Sequence, residues 1–207
     1  METNFEVRTV PIKIEMRKDA KNETVLIGLA APYNKRSGVL GGVSGFTEII
    51  EPGFFSGVLD NDVIATVEHN PEKLVGRTKS GTLKIADTTE GLTTENTLPN
   101  TTTGNDLRCL VERGDIQGMS FKFRCKDGGS KWEQDSVTKV VTRTLMSGGC
   151  EALADITYTH DPAYSDTKIA QRSMTEFRSK KDAEKIPDET YKINLNKRKR
   201  QIKMAEL

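Results

Sequence analysis

A serine set among bulky residues, two histidines and a few strand-borne acids are the side chains here with the means to do chemistry. Ser120 lies in "GMSFKF", where strand alternation puts Met119, Phe121 and Phe123 on one face and Ser120, Lys122 and Arg124 on the other. A serine hydroxyl is a poor nucleophile near neutral pH until a base accepts its proton. His69 ends "DVIATVEH" and precedes Asn70-Pro71, so it stands where a strand gives way to a turn, a common position for a cleft residue. Period two gives it the face of Val63, Ala65 and Val67, which predicts a partly enclosed imidazole. Such a base needs a group that holds its tautomer and stabilises the imidazolium. Asp155, in "ALADITYT", is a carboxylate inside a strand, expensive to bury without a partner. Glu151 and His160 compete for the same role, and spacing does not decide among the three. This set has the makings of acyl transfer.

Other nucleophile signals fall away. "GMSFK" lacks the Gly-x-Ser-x-Gly elbow of α/β-hydrolases. Cys109, in "LRCLV", reads as an inert, buried thiol in an apolar helical neighbourhood, and "RGD" at 113–115 reads as a helix stop. The loop "SGVLGGVSGF" has no Gly-Lys-Ser/Thr ending with which to hold a phosphate.

The elements that must position the set are mostly strands. "PIKIEMR" alternates as a half-buried strand, "TVLIGLAAP" suits a central one, and "GTLKIAD" with "GLTTENTL" forms a strand pair. "VTKVVTRTL" and "EALADITYT" continue the series beyond the serine strand. "EPGFFSGVL" places Phe54, Phe55, Val58 and Leu59 at helical spacing. "TGNDLRCLVERGD" carries Leu107, Leu110 and Val111 on one helical face, with Thr103 or Asn105 as N-cap and Gly114 as stop. The fold class expected is mixed α/β, mainly β: a small closed or nearly closed β-barrel surrounded by a few helices.

Composition sets the bounds. A body of this size buries about 70% of its unfolded surface and needs no disulfide or metal. Three cysteines, Cys109, Cys125 and Cys150, have no metal-ligand spacing and read as reduced thiols. No apolar run approaches the roughly 18 residues of a membrane span, and "METNFEVRTV" does not read as a signal peptide. The formal net charge of +1 conceals an asymmetry. Residues 1–171 hold 20 Lys/Arg against 24 Asp/Glu, whereas residues 172–207 hold 11 against 6. We therefore expect a folded domain over 1–171 and a polar, basic C-terminal tail over 172–207, a loosely attached helix or a disordered segment.

Across residues 22–172 the sequence resembles the prohead (procapsid maturation) serine proteases of tailed bacteriophages. The resemblance rests on an ordered set: "GLAAPYN", "EIIEPGFF", "EHNPEKLVGRTKSGTLKI", "VERGDIQGMSFKF", the Trp132 region, "TRTL" and "LADITYTHDPAY". It puts the family's histidine on His69 and its serine on Ser120. The acidic third member, usually Glu in a Leu-x-Glu-Val-Ser pattern, falls on Asp155, one methylene shorter. Pro162, Ala163 and Tyr164 match the family, while His160-Asp161 depart from it. The related herpesvirus assembly proteases use a second histidine as third member, which keeps His160 in contention. For the oxyanion, the candidates are a backbone N–H near Gly148 or Gly149 and the guanidinium of Arg143, by analogy with arginine in that viral fold.

The resemblance implies a barrel ringed by helices and an endopeptidase that needs no cofactor. Its partners would be the major capsid protein precursor with its scaffold segment, and a second copy of itself through self-cleavage. It would work in the host cytoplasm, inside the immature capsid, with no membrane. The tail admits two readings: a segment removed by self-cleavage, or an electrostatic attachment to an acidic scaffold or nucleic acid. A non-catalytic capsid-assembly or internal scaffold protein with the same shell is the competing class.

Overall fold

The computed structural model describes residues 5–11, 14–42, 45–160 and 168–184. These divide into two units, 1–170 and 171–207. In the first, strands β1 (Glu6–Pro11), β2 (Glu15–Lys18), β3 (Thr24–Pro32), β4 (Thr47–Ile50), β5 (Ile64–Val67), β6 (Asn70–Arg77), β7 (Leu83–Asp87) and β8 (Gly91–Thr97) precede helix α1 (Thr102–Arg113). Strands β9 (Gly118–Cys125), β10 (Ser130–Gln134), β11 (Val141–Leu145) and β12 (Cys150–Thr159) follow it. Helix α2 (Lys168–Glu184) runs into the second unit, where Lys181 lies over the Phe177 ring one turn away.

Among the described residues the strands form three open sheets: β1-β9-β12-β5-β6, β10-β11-β4 and β2-β3-β8-β7. The mainly β, mixed α/β class is as expected, but the closed or nearly closed barrel is not what forms. "PIKIEMR" shows why. Residues 12 and 13 lie outside the described residues, but Pro11 belongs to β1 and Glu15 to β2, in another sheet. The chain thus shares its strands among sheets instead of closing one on itself. The sheets enclose a common apolar core that includes Leu26, Phe54, Phe55, Leu92, Phe121 and Phe123. Gly28 on β3 lets β9 approach, because a Cβ there would collide with Met119 Sδ.

Cys109 is exposed on α1, not buried as expected, and three further local expectations are corrected. "EPGFFSGVL" is a run of tight turns, with Phe54, Ser56 and Val58 each donating to the carbonyl three residues back. Gly53, at φ +80, interrupts any helix there, while both phenylalanines are still buried. Helix α1 is capped by Thr101, whose side chain accepts from the Gly104 N–H at 3.2 Å, not by Thr103 or Asn105. Its close at Gly114, with φ 80 and ψ 17, is the left-handed stop expected of glycine. "VTKVVTRTL" turns extended only at Val141. Before it, the Asp135 carboxylate accepts from the N–H groups of Val137 and Thr138 and bends the chain into a β10–β11 hairpin.

A buried ion quartet ties the five-stranded sheet to the three-stranded one. Arg8 on β1 donates to both oxygens of Glu48 on β4, at 2.7 and 2.9 Å, and to Glu6 at 2.7 Å. Arg143 on β11 donates to both Glu6 oxygens, at 2.7 and 3.0 Å, and to Glu48 at 3.2 Å. Two guanidinium groups facing two carboxylates leave no net charge in the interior, the condition under which burial of charge is tolerable. Burial alone would raise the Glu6 carboxyl, but Arg8 and Arg143 hold it below the ordinary carboxylate range.

Candidate active site

Ser120 sits in the middle of β9, flanked by β1 and β12, with Thr9 and Thr157 opposite it in register. Both faces of this central strand are covered, so Ser120 itself is only 1% exposed. His69 arrives from a different pairing. Strands β5 and β6 form a hairpin in which Val67 faces Asn70, leaving Glu68 and His69 as a two-residue loop. Both loop residues have positive φ, +57 and +52, the signature of a type I′ turn. This loop carries the imidazole back over the sheet, with its side chain 27% exposed. Parallel pairing of β12 with β5 puts Asp155 opposite Ile64, and the Asp155 side chain is 10% exposed.

The three side chains form one hydrogen-bonded chain. Asp155 Oδ1 lies 2.9 Å from His69 Nδ1, and His69 Nε2 lies 2.8 Å from Ser120 Oγ. An ionised carboxylate can only accept, so Nδ1 carries the proton and Nε2 presents its lone pair to the serine. The Arg8 backbone carbonyl is a second acceptor, 2.9 Å from Ser120 Oγ. The hydroxyl has one hydrogen to give, and the imidazole and this carbonyl compete for it. Proton transfer from serine to imidazole is the step this arrangement can perform.

A family model described as caudovirus prohead serine protease matches residues 12–180. The chain belongs to that family. Its fold is similar to that of the bacteriophage T4 capsid assembly protease gp21, with a TM-score of 0.51 and 11% identity over 78% of this chain and all of that one. At that identity the likeness speaks for the fold alone. No curated protein matches the chain. The family makes this a phage prohead protease, of the capsid-maturation class.

The fold sorts the remaining site candidates. Glu151 is at the surface in an ion pair with Arg124 at 2.7 Å, away from the imidazole. His160 has its side chain 72% exposed and meets Glu68 Oε1 through Nδ1 at 2.8 Å. Arg143 is spent in the quartet and donates its Nε to Ser130 Oγ as well, so its guanidinium is engaged away from Ser120. Gly148 N–H bonds to the Gly53 carbonyl and Gly149 N–H to the Met146 carbonyl, which removes both as oxyanion donors in this state. The stretch Asp161–Tyr164, with Pro162, Ala163 and Tyr164, lies outside the described residues, as does the tail beyond residue 184.

Two supporting residues escaped the reading of the sequence. The Glu68 carboxylate accepts from Thr159 Oγ1 and from the His160 N–H, each at 2.8 Å, and so fastens the histidine hairpin to the end of β12. Burial raises that carboxyl while these donors lower it, and the donors prevail. Thr157 Oγ1 accepts from the His69 backbone N–H at 2.9 Å. Strand alternation from Asp155 puts Thr157 and Thr159 on its face, a pattern already present in "ADITYT". Among the described residues no helix is long and apolar enough to cross a membrane, and no group of His, Cys, Asp or Glu could hold a metal ion.

Proposed function

We propose that the chain is a serine endopeptidase that cleaves scaffold segments of the phage capsid precursor during head maturation, and that it also cleaves itself. Ser120 attacks the scissile carbonyl as His69 takes its proton, and Asp155 holds the imidazole in the tautomer that can accept. The imidazolium then protonates the leaving amine, and water activated by the same imidazole clears the acyl-enzyme. The observation that carries this reading is the unbroken contact series from Asp155 through His69 to Ser120, at 2.9 and 2.8 Å. Its partners are then the capsid precursor and further copies of this chain, met inside the prohead within the host cytoplasm. The folded domain over 1–171 does the chemistry, and the basic tail over 172–207 is the segment offered to self-cleavage.

The 1% exposure of Ser120 favours a second reading, a non-catalytic assembly or internal scaffold protein built on the same shell. Reaction with a fluorophosphonate separates the two. The peptidase reading expects a single adduct on Ser120 in folded protein, absent from Ser120→Ala. It also expects capsid-precursor cleavage to fall by about 10⁴- to 10⁶-fold in Ser120→Ala or His69→Ala. No adduct on folded wild-type protein, with cleavage undisturbed in Ser120→Ala, would leave the scaffold reading.

A further inference from the structure

We infer that Thr157 is a positioning residue for the His69–Ser120 pair, acting on the backbone of His69 and not on its ring. The inference rests on the peptidase reading above and names a requirement of that same site. Its starting point is the strained hairpin. A two-residue loop with positive φ at both positions favours Asn-Gly, and here it holds Glu68 and His69, at φ +57 and +52. Side-chain-bearing residues persist in that region only when their surroundings hold them there.

Strand β12 supplies the hold. The Glu68 N–H donates to the Tyr158 carbonyl at 3.1 Å, and the Glu68 carboxylate is fastened to Thr159 and His160 as described. These contacts secure the first loop residue. The backbone of His69 is gripped by the Thr157 hydroxyl, which accepts its N–H at 2.9 Å. Thr157 is itself immobilised: it is 0% exposed, and the Thr66 hydroxyl donates to it at 3.0 Å.

The placement gives the contact its consequence. Thr157 is opposite Ser120 in the β9–β12 ladder and two residues from Asp155 on the same strand. One strand therefore fixes the base at both ends, through its main chain by Thr157 and through its ring by Asp155. Asp155 sets which way the ring points, and Thr157 sets where its Cα stands relative to Ser120 Oγ. Without the hydroxyl the His69 N–H loses its acceptor and the left-handed loop loses a restraint. A displacement of about 1 Å is enough to cost about 10²-fold in rate.

The test follows the rate of fluorophosphonate addition to Ser120 by intact mass, across pH, in the full chain. Thr157→Val keeps the shape and removes the acceptor. It is expected to react about 10²-fold more slowly across the pH range. Thr157→Ser, which keeps the oxygen, is expected to restore most of the rate. Thr94→Val removes a buried hydroxyl elsewhere in the core, one that donates to the Gly28 carbonyl at 3.3 Å, and is expected to stay within about threefold of wild type. The inference is overturned if Thr157→Val reacts at the wild-type rate, if Thr157→Ser is as slow as Thr157→Val, or if Thr94→Val falls as far. Thr157→Ala stands in should the valine variant not fold. Amide hydrogen exchange on wild-type protein needs no variant at all: the His69 N–H should be as protected as the β9 amides, and fast exchange there overturns the inference. Failure of wild-type protein to form the adduct would instead count against the peptidase reading.

Discussion

Asp155 offers the sharpest test of how this site works, because the resemblance read from the sequence would put a glutamate in its place. Restoring the longer acid would seem a gain. The geometry says otherwise: Asp155 Oδ1 already sits at hydrogen-bond distance from Nδ1, 2.9 Å, with its side chain 10% exposed. A further methylene adds about 1.5 Å of reach at a carboxylate that already meets Nδ1 and is nine-tenths buried. The carboxylate must buckle or push the imidazole off Ser120, and a shift of about 1 Å costs about 10²-fold. Asp155→Glu should therefore lose activity by about two orders of magnitude. Asp155→Asn should lose more. Its amide N–H can donate to Nδ1, which puts the imidazole proton on Nε2, facing a serine it can no longer deprotonate. That tautomer fault is worth about 10⁴-fold, about 5 kcal/mol of barrier. Fluorophosphonate addition measured by intact mass gives both rates without knowledge of the cleavage sequence. Glu151→Gln, on the surface pair with Arg124, is the control and should leave the rate unchanged. An Asp155→Asn variant within about tenfold of wild type, or an Asp155→Glu variant faster than wild type, would refute the orienting role.

Other outcomes follow from the same structure. Glu48→Gln leaves the buried quartet with a surplus positive charge and should destabilise the protein by about 3–5 kcal/mol, read as a lower urea midpoint at unchanged m-value. Glu6 has a lowered folded pKa, so its stabilisation is complete above the reference value of 4.5 and is lost as pH falls through the folded value. Glu6→Gln should accordingly flatten the dependence of stability on pH below about 4.5, and an unchanged slope would contradict the assignment. Purified wild-type protein should show truncation within 172–207 by mass spectrometry, and Ser120→Ala should remain full length; the same fragments in both would dismiss self-cleavage.

Much of the local plan was legible because it depends on neighbours in the chain. Alternation in "GMSFKF" put Ser120 opposite a row of core side chains, but the turn expected at Asn70-Pro71 falls on Glu68 and His69, and Asn70 and Pro71 open β6 instead. Gly114 ended α1 as a residue free to take positive φ must. Misreadings arose where a local signal was outvoted. Phe54, Phe55, Val58 and Leu59 have helical spacing, but Gly53, at φ +80, lets the chain bury both rings through successive tight turns. Even spacing of strands suggested closure, yet spacing along a chain does not specify which edges pair.

What the sequence determined by itself was the supply of reactive groups, the β-rich character and the family, all carried by residue type and order. What only the tertiary structure decided was which groups meet. Spacing did not separate Asp155, Glu151 and His160, and only the resemblance favoured Asp155; parallel pairing of β12 with β5 brought Asp155 to the imidazole, while Arg124 and Glu68 engaged the other two. Arg143, apparently available on its strand, was claimed by Glu6 and Glu48 from remote parts of the chain. The reason is physical: a hydrogen bond or ion pair acts over about 3 Å, and only folding turns separations of tens of residues into such distances.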